Sequence, residues 1–490
     1  MLRSAARRGS SPPLRIGGPA SHAVDLSLAR HAVALSLARP PKRCFRSSPT
    51  PCLFGLKLPE PSNEPLAGTL PDSGGPPWLF LLQVVLGLPA ALWIYKCLML
   101  VLFQRRIIYL PSVPPGSRNE SLAGGERAPA VDASLNGLDW REVRVQSAVP
   151  TRWLRRPVEL RGIEMSWSGA RSRDVKEVRD KVVVVYLQGN AGTPVLRAPL
   201  FRSFLREPPT SASSRIASAA ESPQPHISVL AVAPRTFWLS TRTTPTEDGV
   251  LADYAAALAH AYAEHGPLAR YVLYGHSLGG AAAVLLLEKL GQAPFRPAFA
   301  SSGSPEPATL GPAPASKPPT HTDSVDSSFP TRASTGVVPH VSGVILENPL
   351  PSIPYMVRAL YPQRWLPYHY LGPLAFDKWD AIGRLERLPA PRRAAGASER
   401  ARAPRSLWIR SARDEIIPHG GGEGDGVRRM FDAWVLYDAA AAAQKGCAGA
   451  DARNRWVEVK GALHDTAYLE RRWRDEIRAF LGQVARGERG

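Results

Sequence analysis

Cysteine is scarce in this chain of 490 residues. The four present (Cys44, Cys52, Cys97 and Cys447) form no CxxC pair and no metal-ligand spacing. A disulfide framework and a structural zinc module are therefore excluded. Only Cys447 lies beyond residue 103, so the C-terminal part holds no internal disulfide, which suits a cytosol-facing domain. Acidic residues are also few, 42 against 61 lysines and arginines, for a net charge of +19. Such a balance can mark a nucleic-acid binder. Here the basic residues are scattered through tail, juxtamembrane stretch and loops, with no aromatic-interleaved basic stripe, zinc-finger spacing or recognisable RNA or DNA module. A basic surface with no nucleic-acid partner is the expectation.

What the chain does hold is hydrophobe, 44% of residues, enough for one large α/β core plus an anchor and tails. Residues 1–75 read as a disordered basic tail in which Arg, Ser, Pro and Gly dominate without a sustained period. Up to Lys57 there are ten basic residues and one acid, Asp25. This resembles an organellar transit peptide, and residues 23–38 could form a short amphipathic helix, but solvated basic tails share the composition. Next comes WLFLLQVVLGLPAALWIY, 18 uncharged residues from Trp78 to Tyr95, followed after Lys96 by CLMLVLF. The run predicts one transmembrane helix over 78–103, too far from Met1 for a cleaved signal peptide. Lys96 can snorkel, and Trp78, Trp93 and Tyr95 suit an interface. Lys96 near the C-terminal end of the span and Arg105 and Arg106 after it, against Glu60, Glu64 and Asp72 before it, favour a cytosolic C-terminal domain at an endomembrane or plasma membrane. The distant tail arginines and a sequon at Asn119 pull weakly the other way.

Residues 104–490 read as one domain in which strand-like and helical runs alternate, the signature of a mostly parallel sheet covered by helices. WREVRV (140–145) and VELRGIEMSW (158–167) alternate like a half-exposed antiparallel pair. VVVVYL (182–187), ISVLAV (227–232), YVLYG (271–275), VSGVIL (341–346), SLWIRS (406–411) and RWVEVKG (455–461) are of buried-strand type. Helices fit 194–206, 249–264, 279–290 and 468–485. Low-complexity insertions near 207–225, 295–339 and 389–404 interrupt the rhythm, and the sheet does not need them.

Gly275-His276-Ser277-Leu278-Gly279 joins an apolar strand to an Ala/Leu-rich helix. A serine there must adopt strained backbone angles, which small neighbours permit, and the turn lifts its hydroxyl clear of the sheet. A nucleophilic serine needs a base, and the base an orienting acid, in the chain order Ser, acid, His after successive strands. Asp414 follows SLWIRS and His464 follows RWVEVKG; Glu415 and Asp438 are weaker acids, while His369 and His419 lack a preceding strand. His276 has a packing role in view. An oxyanion needs backbone donors. One is expected from Leu278 and the other from Asn190, with Ala191 as alternative, in the run Gln188-Gly189-Asn190-Ala191-Gly192. No metal or organic cofactor is required by this chemistry.

Together with FQRRIIYLP (103–111), PTEDGVLADYAAAL (245–258), VILENPLPSIPYM (344–356), ARDEIIP and GALHD, these motifs resemble the bud-emergence (Bem-type) branch of the α/β-hydrolase superfamily, similar to membrane-anchored abhydrolase-domain proteins. The resemblance implies an α/β-hydrolase fold with an eight-stranded sheet behind a single anchor helix, and a serine triad acting on small acyl or lipid esters or thioesters. Two departures stand out: Gln188 where the family usually has His, and Thr236, Trp238 and Arg242 where it carries glycines. The second predicts either a rebuilt loop or reduced activity, the latter pointing to a catalytically impaired membrane scaffold.

Overall fold

The computed structural model describes residues 77–119, 138–147, 158–167, 181–205, 225–295, 339–388, 403–419, 424–443 and 453–487. The expected basic tail and nearly all of the three expected insertions lie outside the described residues. The chain opens with helix α1 (Pro77–Leu102) and a short α2 (Gln104–Ile108). Eight strands follow: β1 (Leu138–Ser147), β2 (Val158–Trp167), β3 (Lys181–Leu187), β4 (His226–Val232), β5 (Arg270–His276), β6 (Val341–Glu347), β7 (Arg405–Ser411) and β8 (Asn454–Val459). They form one sheet in the order β1-β2-β4-β3-β5-β6-β7-β8. β2 runs antiparallel to both its neighbours, and every other pairing is parallel. Seven of the eight expected strand runs lie wholly within these strands, and the last passes the end of β8 by two residues.

Burial explains the pattern. Along β3 the residues from Val182 to Leu187 are almost fully buried, as a strand covered on both faces must be. β1, at the sheet edge, exposes alternate residues. Helices α3 (Ala198–Leu205) and α9 (Arg471–Arg486) pack together on the sheet, and α4 (Glu247–His265) packs beside α5 (Leu278–Lys289). Three further helices complete the layers: α6 (Ile353–Leu360), α7 (Ala381–Glu386) and α8 (Gly426–Ala443). This strand order, with a serine turn between β5 and α5, is the α/β-hydrolase arrangement. The expected helix at 194–206 is shorter at its start, since residues 194–197 form turns. The expected helix at 468–485 begins at Arg471, after a 3-10 turn over Ala467–Leu469.

α1 stands apart from the core. Its 26 residues span about 39 Å. Among the described residues it is the one helix long and apolar enough to cross a membrane, and none of its span is buried against the protein. The short α2 that follows it is clasped by the domain. Gln104 Nε2 donates to the Leu374 carbonyl (3.3 Å), Phe376 N donates back to Gln104 Oε1 (2.6 Å), and Arg105 pairs with Asp377 (2.9 Å).

The loop after β4, where glycines were expected from the family pattern, keeps the glycine-type backbone without glycine. Thr236 has φ 76° and Trp238 φ 45°, whereas Arg242 does not have a positive φ. Left-handed angles at such side chains cost on the order of 1–3 kcal/mol each and persist only when surroundings fix them. Here they do. Thr236 N donates to the Thr241 carbonyl (2.9 Å), and Thr236 Oγ1 accepts from Thr243 N (3.0 Å) while donating to the Thr243 carbonyl. Arg235 forms a buried bidentate pair with Asp253 of α4 (2.9 and 2.7 Å). The loop thus holds these angles without glycine. Trp238 is almost fully buried, so its side chain offsets the strain. Removing a buried Trp side chain costs about 3–5 kcal/mol, more than relief of the strain returns. Trp238→Gly is therefore expected to lower the apparent unfolding temperature in detergent; a rise would mean that backbone strain outweighs packing at this position.

Candidate active site

The serine turn is built by backbone contact. Ser277 has φ 54° and ψ −117°. A Cβ added to Gly279 would collide with the Leu187 carbonyl at the end of β3, and one at Gly275 with the backbone of Gly279. Only glycine at both positions lets the first turn of α5 press this closely on the strand ends. The strained residue is tied on both sides to the end of β6: Ser277 N donates to the Glu347 carbonyl (3.0 Å) and its own carbonyl accepts from Leu350 N (2.9 Å). Glu347 in turn accepts from Trp473 Nε1 (3.2 Å) and from the Tyr274 hydroxyl.

Asp414 and His464, expected after β7 and β8, meet. His464 Nδ1 lies 3.0 Å from Asp414 Oδ1. The acceptor fixes the tautomer: Nδ1 carries the hydrogen and Nε2 is left with its lone pair. Both groups are buried, with Asp414 8% and His464 2% exposed. Asp414 Oδ1 also accepts the backbone N–H groups of Ile416 (2.9 Å) and Ile417 (2.8 Å), and Oδ2 accepts from Arg410 Nη1 (2.7 Å). Burial alone would raise the Asp414 pKa, but its His464 and backbone donors win and lower it. Burial likewise pulls His464 down, but the hydrogen bond and charge of Asp414 raise it above the ordinary imidazole value. Glu415, a weaker candidate acid, instead accepts the backbone N–H of His464 (3.0 Å). Asp438 is buried elsewhere and accepts from Asn454 Nδ2 (2.9 Å), while His369 holds the Tyr361 carbonyl (2.8 Å).

His276, beside the serine, stacks on His464 with ring centroids 4.9 Å apart. Its Nε2 donates to the His464 carbonyl (3.1 Å). Burial, then the charge of Arg197, pushes His276 down to about 3, so it is neutral. Ser277 Oγ and the His464 ring are not hydrogen-bonded among the described residues; nucleophile–base contacts are often long before a substrate closes them. Two residues absent from the sequence expectations hold the arrangement together. Asn348 (φ 43°) donates from Nδ2 to the His464 carbonyl (2.9 Å) and Ser411 Oγ (2.9 Å), and accepts from Ser411 N (2.8 Å). Arg410, 1% exposed, bridges Asp414 and the Ile417 carbonyl (2.8 Å).

The turn after β3 overhangs the serine: a Cβ on Gly189 would stand 3.5 Å from Ser277 Cβ. Leu278 opens α5, where a first-turn N–H has no intrahelical acceptor. The same turn, residues 188–192, rests on the segment that follows α2. Leu110 N donates to the Asn190 carbonyl (2.8 Å) and Gly192 N to the Val113 carbonyl (2.9 Å). A small apolar cavity beside the elbow is lined by Tyr109, Gln188, Gly189, Phe237, Leu278 and Trp379, among others. His276, His464 and Asp465 are close enough to suggest a cation site. Arg197, however, occupies the Asp465 carboxylate (2.8 Å), and its charge opposes a metal there.

No protein-family model matches the chain, and no curated protein matches its sequence. Solved structures do overlap it. A crystal structure of an alpha-beta hydrolase from Vibrio vulnificus is 14% identical with a TM-score of 0.41, covering 77% of this chain and 92% of its own. An esterase from Pyrococcus furiosus is 11% identical with a TM-score of 0.38, covering 76% and 97%. A bacterial heroin esterase is 17% identical with a TM-score of 0.36, covering 74% and 90%. The sheet's own strand order, not these likenesses, carries the fold.

The contact of Gly279 with the end of β3 makes a direct prediction. Gly279→Ala must push the elbow and the 188–190 turn apart, so an active-site serine probe should react about 100-fold more slowly, even where the variant stays folded by circular dichroism. Unchanged reaction would show that the close approach is not needed.

Proposed function

We propose that this chain is a membrane-anchored serine hydrolase of the α/β-hydrolase fold that cleaves an ester, thioester or related acyl substrate. The observation that carries the reading is the Asp414–His464 pair, 3.0 Å apart, beside an elbow that holds Ser277 at φ 54°. In this reading His464 Nε2 takes the Ser277 proton as Oγ attacks the acyl carbon. The N–H groups of Leu278 and Asn190 receive the developing oxyanion, and removing one such donor costs roughly 3 kcal/mol of barrier. His464 then passes its proton to the leaving group, and the acyl-enzyme is hydrolysed by a water from which the same imidazole takes a proton. Asp414 stays ionised and holds the ring. α1 crosses the bilayer once and the domain faces the cytosol, in keeping with the cations that follow the span.

The family resemblance of the motifs fits the same reading. The competing one, an impaired scaffold, draws on Thr236 and Trp238; against it, both residues keep the backbone angles that glycines would supply.

A fluorophosphonate probe separates the two. Labelling of the folded protein that vanishes in Ser277→Ala supports the hydrolase; a folded wild type that takes no label supports the scaffold. The pH profile gives a second measurement. His464 acts only when its Nε2 is unprotonated, and its pKa is raised above the ordinary value of 6.5. Activity should therefore be lost as pH falls through an apparent value above 6.5. In Asp414→Asn that limb should move to lower pH, with kcat down about 1000-fold or more. An acid limb that stays in place in Asp414→Asn would remove Asp414 from its assigned role.

A further inference from the structure

We propose that the run between β6 and α7, residues 353–376, lies at the boundary between the headgroup layer and the hydrocarbon core of the bilayer and delivers a membrane-resident acyl substrate to the site. The proposal rests on the reading of α1 as a membrane span, and four observations carry it.

The run presents large apolar side chains outward: Leu360 is 61% exposed, Trp365 70%, Tyr370 60%, Leu374 54% and Phe376 61%. In water such a concentration would be costly, and soluble proteins keep contiguous patches of this kind for partners. Aromatic residues that pair an apolar body with a polar tip are favoured at the membrane–water boundary.

The patch is continuous with α1. Trp365 stands beside Trp93 with ring centroids 6.2 Å apart, and Lys96 Nζ lies 5.0 Å over the Tyr368 ring. Depth follows from length. A bilayer core takes roughly 20 helical residues, and α1 has 26. Even if all the surplus projected on the domain side, Trp93, nine residues before Leu102, would still lie within the core, a few ångströms below its edge. A side chain packed against it is held at the same level.

The charge of the run fits an anionic leaflet. Residues 353–376 contain Arg358 and Arg364 and no acid, Lys96 and Arg106 lie at the neighbouring end of α1 and in α2, and Arg105 is paired with Asp377 just past the run. Basic residues beside apolar anchors are attracted to anionic headgroups.

The run also leads to the serine. Three residues past Phe376, Trp379 is fully buried and lines the apolar cavity beside Leu278 and Gly189. Its Nε1 donates to the hydroxyl of Tyr109 (3.1 Å), on the juxtamembrane segment. One stretch of chain thus has its outer side chains at bilayer depth and its end in the wall of the site.

The test uses the full chain in phosphatidylcholine–phosphatidylserine nanodiscs doped with a phospholipid bearing a headgroup-level diazirine. After illumination, labelled peptides are expected from α1 and from residues 360–376. Label in α1 but none in 360–376 overturns the proposal. Absence of label in α1 itself would remove the membrane span and this inference with it. Labelling needs no turnover, so its outcome is independent of the hydrolase reading. A kinetic arm uses the combined variant Trp365→Ser, Tyr370→Ser and Phe376→Ser. Its turnover of a fluorogenic acyl ester embedded in vesicles should fall about tenfold or more while that of water-soluble p-nitrophenyl acetate is unchanged. A control carrying Leu436→Ser and Leu469→Ser, exposed leucines elsewhere, should change neither. Equal losses on both esters, or no loss on the vesicle-borne one, would overturn delivery from the bilayer.

Discussion

Ser277 keeps its left-handed backbone because the first turn of α5 is pressed against the ends of β3 and β5, and glycines at 275 and 279 alone allow that approach. The rest of the site follows from this contact. It sets the 188–190 turn over the serine, since that turn continues directly from the strand end that Gly279 touches. It also places Leu278 at a helix N-terminus, where backbone donors and the helix dipole favour negative charge. Strain of this kind lasts only when the surroundings over-determine it. Here the backbone N–H and carbonyl of Ser277 are bound by the last residue of β6 and by Leu350 just after it, so the turn cannot relax without breaking these bonds.

Local signals of this kind are legible in the amino-acid order. GxSxG with a strand before and a helix after is a local signal, because its physics sits within about a dozen consecutive residues. Strands such as 182–187 are legible because burial on both faces leaves nothing polar to confuse the run. Asp414 and His464 could be placed as loop residues after strands, and their hydrogen bond is what the fold adds. Arg410 and Asn348 carried no such signal. Asn348 acts on Ser411, 63 residues on, and His464, 116 residues on, contacts that exist only once β6, β7 and the histidine loop are adjacent. Two helices were hidden by composition. α8 follows a glycine-rich stretch and ends in an alanine run, which reads as low complexity. α6 is masked by Pro349, Pro351 and Pro354, although Pro354 stands in its first turn, where proline is tolerated, and Ser352 caps it by accepting from Tyr355 N (3.1 Å).

The loop after β4 teaches a different lesson about glycine patterns. The absence of glycine at 236 and 238 does not prevent left-handed backbone angles there, because a buried Trp side chain and a bidentate Arg235–Asp253 pair supply the energy that glycine would have made unnecessary. Phe237, between the two strained residues, reaches the cavity beside the elbow. Local strain is thereby coupled to the wall of the site, which Tyr109, just after α2, also lines. Leu110 and Val113 add backbone bonds to the turn that overhangs Ser277. The end of the apolar helix and the candidate oxyanion turn are therefore parts of one hydrogen-bonded unit.

Buried charge weighs between the enzyme and the scaffold. Arg410 and Asp414 are almost wholly removed from solvent, and desolvating such a pair costs several kcal/mol that their attraction only partly returns. Apolar residues of similar volume in such a place are often neutral or stabilising, so stability alone gives little reason to keep the pair. A buried scaffold core would gain by losing it. What the pair does secure is the orientation of one carboxylate toward one ring nitrogen, with Nε2 of the same ring left free of that bond. Orientation of that kind serves no packing purpose. It is useful where a proton must move, and that places the weight on the hydrolase.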